Sequence, residues 1–196
     1  MDKCMFSGHC VEPICDRSCP SFTESSFLLE VNGIAITNPV FRSDIKDIEK
    51  AKAFIEKAKS GTLVIEYNDT TVLSNLVTYC AICQHWFGSR LHVPVYSLKL
   101  SQHIDAIQKT WNTRGTDDKL EQVQIWVQKA KILIVSAIDY INFNDFQAQT
   151  LLGIIHDRKS EGLTTIIVSP EVDTLLGKGA IYNRMKLLLE GVSVKW

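Results

Sequence analysis

The chain has 196 residues, with 21 basic and 22 acidic side chains and a formal net charge of −1. Its 45% apolar and 22% charged residues exclude general disorder and are enough to build one medium hydrophobic core without staples. The balanced charge excludes a strongly basic nucleic-acid binder, though not a local basic patch, and no apolar run approaches the length of a membrane span.

In chain order the first feature is a cysteine-rich head. Cys4, Cys10, Cys15 and Cys19 follow one another as C-x5-C-x4-C-x3-C, with His9 beside the second. No apolar signal core accompanies them, so a cytoplasmic, reducing setting is expected and disulfides are disfavoured. Gly8, Pro13 and Pro20 favour turns over helix. Four thiolates on so short a segment suit a tetrahedral soft-metal site, and the metal would supply folding energy that the segment cannot draw from a core. Zinc held by Cys4, Cys10, Cys15 and Cys19 is the first expectation, with His9 as an alternative ligand. Cys15-x3-Cys19-Pro20 also echoes the end of a ferredoxin-type run, which makes a 4Fe-4S cluster the alternative cofactor.

Residues 27–41 read as an extended connector with a turn at Asn32-Gly33. From Ser43 the pattern becomes helical. Ser43 suits an N-cap, Asp44 and Asp47 suit the first turn, and Ile45, Ile48, Ala51, Ile55 and Ala58 recur on one face before Gly61. Strands and helices then alternate. Residues 62–67 (TLVIEY) predict a strand and 71–87 a helix. On that helix Cys80 and Cys83 join an apolar stripe, where cysteine behaves as a small buried hydrophobe. Residues 93–98 predict a second strand, 101–111 and 117–129 two helices, and 132–135 (ILIV) a fully buried parallel strand. Residues 144–159 predict a helix with Ala148, Leu151, Leu152 and Ile155 on one face, closed by Gly162. Residues 164–168 predict a fourth strand, about 180–189 a last helix, and 192–194 a closing strand. Arg158 reads as a solvated helix end, with subunit contact as its functional alternative, and His156 as a structural residue beside the apolar face. The expected organisation is a metal-binding head at 1–24, a connector at 25–42 and an α/β domain of parallel βαβ units at 43–196.

This order of elements, with ILIVSAIDYINFNDFQAQTLLGIIHDR at 132–158, TTIIVSP at 164–170 and LLGKGAIYNRMK at 175–186, resembles the AAA+ ATPase domain of replicative-helicase loaders of the DnaC/DnaI type. The likeness covers about residues 43–196. It implies a three-layer P-loop NTPase-like parallel sheet, here without a lid domain. A cysteine-bearing, zinc-binding head that contacts the helicase also occurs in some loaders.

The chemistry of that family is missing from the residues. A P-loop needs G-x4-G-K-[ST], because glycine backbone wraps the phosphates and lysine meets their charge. With Ser74 as the final hydroxyl, Tyr67 and Val72 fall on the glycine positions and Leu73 on the lysine, and no glycine occurs between Thr62 and Phe87. Asp69 adds negative charge beside them. Ser136 and Ala137 fall where an acidic pair would hold Mg²⁺ and orient water, and Asp139 lies three residues too late. Ser169 falls at the family's polar sensor, with Pro170 after it. The expectation is therefore a degenerate member that does not hydrolyse ATP and is not an enzyme. Arg184 aligns with the arginine that loaders project toward a neighbouring subunit's nucleotide; its plain alternative is an exposed helix arginine.

The function expected is a binding or assembly factor in DNA replication, with a phage or mobile element as one source. Its partners would be a replicative helicase, another loader or another AAA+ subunit, with no membrane. Weak single-stranded DNA contact and oligomerisation remain open. The alternatives are an iron–sulfur protein with a redox or sensing role, and an inactive clamp-loader-like subunit. Lys46, Lys50, Lys52, Lys57 and Lys59 alternate with acidic residues, which favours a solvated helix face over a nucleic-acid patch.

Overall fold

A computed structural model describes residues 48–58, 61–66, 95–111, 118–136, 144–169, 183 and 193–195. The first described helix, α1, spans Ile48–Lys57. Ile55 and Ala58 are buried, as the apolar stripe requires, and the Ala58 N–H closes the helix on the Phe54 carbonyl at 3.0 Å. The start expected at Ser43 lies outside the described residues.

Among the described residues five strands follow: β1 at Thr62–Glu66, β2 at Val95–Lys99, β3 at Ile132–Ser136, β4 at Thr164–Ser169 and β5 at Ser193–Lys195. They form one sheet in the order β2-β3-β4-β1-β5, and every pairing is parallel. Leu63, Val64, Ile65, Leu133, Ile134, Val135, Ile166 and Ile167 are all at most 1% exposed. A strand that is covered on both faces is apolar on successive residues through its centre. That explains why these segments read as continuous apolar runs and not as alternation. The strands start together as well: the Thr165 N–H donates to the Gly61 carbonyl at 2.9 Å, and the Thr164 N–H to the Lys131 carbonyl at 3.1 Å.

Among the described residues three helices connect β2, β3 and β4: α2 at Leu100–Trp111, α3 at Asp118–Lys129 and α4 at Asp145–Ser160. They pack on one another, and α4 also packs on β4. In α3, Asp118 and Glu121 lie in the first turn and Lys129 in the last, so each charge opposes the helix dipole. Asn144 caps α4: its Oδ1 accepts from the Gln147 N–H at 3.0 Å. Ala148, Leu151 and Ile155 are each 0% exposed and face the sheet layer. The helix ends at Gly162, whose φ of 68° is left-handed backbone that glycine takes without steric cost. Its N–H donates to the Lys159 carbonyl at 3.1 Å, and the Leu163 N–H to the Arg158 carbonyl at 2.9 Å.

Two expectations for α4 are corrected. Arg158 is not a solvated helix end, because it is 2% exposed. Residues 148, 151, 155 and 158 repeat at helical spacing, so the same stripe that buries Ala148, Leu151 and Ile155 carries Arg158 inward. His156, expected to be structural, stands in solvent with a side chain 76% exposed and its Nδ1 3.5 Å from Asp157 Oδ1. It is one position past the stripe and turns outward.

Candidate functional site

The strand order sets where a ligand site belongs in such a sheet. From β1 the chain next forms β2 at one edge; β3 and β4 then fill in toward β1, and β5 lies beyond it. The direction of travel reverses at the β4–β1 boundary. In open parallel sheets, ligands bind outside the carboxyl ends of the strands at such a switch point.

Three side chains mark those ends. Glu66, half-buried, closes β1 and lies in register with Ser169, the last residue of β4. On its other side Glu66 is in register with Lys195 of β5. Ser136 closes β3. Val135 is in register with Ile167, so Ser136 stands level with Val168, one residue short of Ser169. Thus β4 inserts between β1 and β3 and sets Ser169 between Glu66 and Ser136. Ser169 is 0% exposed and Ser136 is 5% exposed. The Ser136 Oγ is buried without a hydrogen-bond partner. A hydroxyl carries no charge near neutral pH, so the last residues of β3 and β4 present neutral oxygens, and among the described residues the carboxylate at this edge comes from Glu66.

A second polar centre lies where α3 and α4 end. Arg158 donates through Nε to Thr165 Oγ1 at 3.0 Å, through Nη1 to the Val127 carbonyl at 2.7 Å and through Nη2 to the Thr164 carbonyl at 2.6 Å. Val127 lies in the last turn of α3, whose carbonyls have no partner within the helix. The guanidinium therefore caps α3 and places positive charge at the negative end of its dipole. Burial pushes the Arg158 pKa down to about 10, which leaves it charged at neutral pH. A cleft of about 490 Å³ opens beside it, lined by His103, Gln124, Lys129, Asp157, Arg158 and Glu161, among others. His103 is 8% exposed, its Nδ1 is buried without a partner, and burial lowers its pKa. Next to this centre Tyr96 and Trp126 pack with ring centroids 5.2 Å apart. Burial raises the Tyr96 pKa, and the Trp126 Nε1 has no acceptor.

Sequence reasoning missed Arg158 and His103 as buried groups. The signal was present in both cases: Arg158 continues the α4 stripe, and His103 lies three residues after the buried Leu100. Of the residues singled out from sequence, Ser136 and Ser169 are brought to one sheet edge. Cys4, His9, Cys10, Cys15, Cys19, Tyr67, Asp69, Val72, Leu73, Ser74, Cys80, Cys83, Ala137, Asp139, Pro170 and Arg184 lie outside the described residues. Among the described residues no group of three or more His, Cys, Asp or Glu side chains is placed to hold a metal ion. Among them, too, no helix is long and apolar enough to cross a membrane.

No protein-family model matches the chain, and no curated protein matches it. Among solved structures, the chain is similar to one described as the crystal structure of the DnaC helicase loader. The identity is 15% and the TM-score 0.49, and the match covers 75% of this chain and 87% of that one.

Proposed function

We propose that this protein is a helicase-loader-like AAA+ factor that assembles with a replication partner and does not itself hydrolyse ATP. The observation that carries the reading is the neutral pair Ser136 and Ser169 at the switch-point edge of an all-parallel sheet. Hydrolysis of a magnesium nucleotide needs an anionic metal holder and a base or orienting group for water; a buried serine hydroxyl at the end of β3 is neither, and Glu66 stands on β1, two strands away. The sequence supports the same conclusion from the other half of the site, with Tyr67, Val72 and Leu73 where a phosphate loop needs two glycines and a lysine. The loader identity rests on the segments at 132–158, 164–170 and 175–186.

In this reading the α/β body is a docking unit. Arg184 reaches toward the nucleotide of a neighbouring active subunit, where an arginine would offset γ-phosphate charge. Cys4, Cys10, Cys15 and Cys19 hold zinc, and the zinc-held head contacts the helicase or another loader. The donor set supports zinc, since four thiolates favour a soft, tetrahedral ion. The test is a magnesium–ATP hydrolysis assay on the purified full chain, run beside a pull-down with a replicative helicase. The expected result is helicase capture with no turnover above the blank. Turnover that grows with enzyme concentration would overturn the non-hydrolysing assignment, and failure to retain any replicative helicase or loader would overturn the partner.

A further inference from the structure

We draw no further inference here: the strongest candidate, the polar cleft between α2, α3 and α4 beside His103 and Arg158, carries nothing, because Arg158 already donates to Val127, Thr164 and Thr165, its rim sets Lys129 against Asp157 and Glu161, and nothing in the structure shows what would occupy it.

Discussion

Arg158 donates through Nη1 to the Val127 carbonyl 2.7 Å away and so ties the end of α4 to the end of α3, across 31 residues of sequence. Its other two bonds run to Thr164 and Thr165 at the start of β4. One cation thus joins two helices and a central strand. Its acceptors among the described residues are all neutral oxygens, so hydrogen bonds and the α3 dipole balance the charge there without a carboxylate.

Removing that cation leaves two buried carbonyls and a buried hydroxyl without their donor. Arg158→Leu is expected to lower unfolding free energy by about 3–5 kcal/mol, because buried polar groups lose partners that water cannot replace. Arg158→Lys should lose less and still fall short of wild type, since a single ammonium cannot reproduce a planar fork with three fixed directions. Urea denaturation at equilibrium measures both. A loss below about 1 kcal/mol for the leucine variant would show that these bonds contribute no more than exposed ones.

His103 gives a pH dependence of definite sign. Burial lowers its folded-state pKa below the ordinary value of 6.5, so the unfolded chain binds the proton more readily. Its contribution to stability is complete above the unfolded pKa and is lost as pH falls below that value toward the folded pKa. Protonation would also add charge near Arg158 and Lys129, offset only partly by the exposed Asp157 and Glu161. The midpoint of thermal unfolding should fall on acidification from about pH 7.5 to 5, and His103→Gln should flatten the slope. An identical slope in the variant would assign the dependence to other groups.

The ends of α4 predict two smaller effects. Asn144→Ala removes the oxygen that accepts from Gln147 and should cost about 1 kcal/mol. Gly162→Ala forces a side chain into left-handed backbone. An added Cβ there has open space around it, so the cost is conformational only, about 1 kcal/mol, and Gly162→Asn should cost less. The two sites lie at opposite ends of the helix and should add in a double mutant.

Metal analysis tests the head directly. The purified chain should be colourless and contain roughly one zinc per molecule. Cys15→Ser and Cys19→Ser should each reduce bound metal strongly while leaving the body's thermal transition in place. A brown protein with visible thiolate-to-iron absorbance would instead mark an iron–sulfur protein.

The strand segments were legible because each holds a continuous run of three or four apolar residues, LVI, ILIV and IIV. TLVIE, ILIVS and TTIIVS hold to within a residue or two of the expected limits. The helix at 145–160 was legible from Asn144, the Ala148–Leu151–Ile155 spacing and Gly162. The second strand is described over Val95–Lys99, within a residue of the expected end, and the start expected at 93 lies outside the described residues. Arg158 was misplaced because its charge and its position in a last turn argue for solvent, whereas the geometry of the stripe argues for burial. Geometry prevails there because Val127, Thr164 and Thr165 supply acceptors that no local pattern announces.

Local chemistry alone determined the described elements, their parallel α/β class and the absence of acidic residues at 136 and 169. Those properties depend on periodicity, capping and residue identity, which act over a few positions. Only the tertiary structure decided that β4 lies between β1 and β3, so that Ser169 comes between Glu66 and Ser136 at one edge. It alone decided that Arg158 is buried. Parallel pairing and helix packing join residues far apart in sequence, and their partners are chosen by the burial of whole surfaces, which no window of local sequence contains.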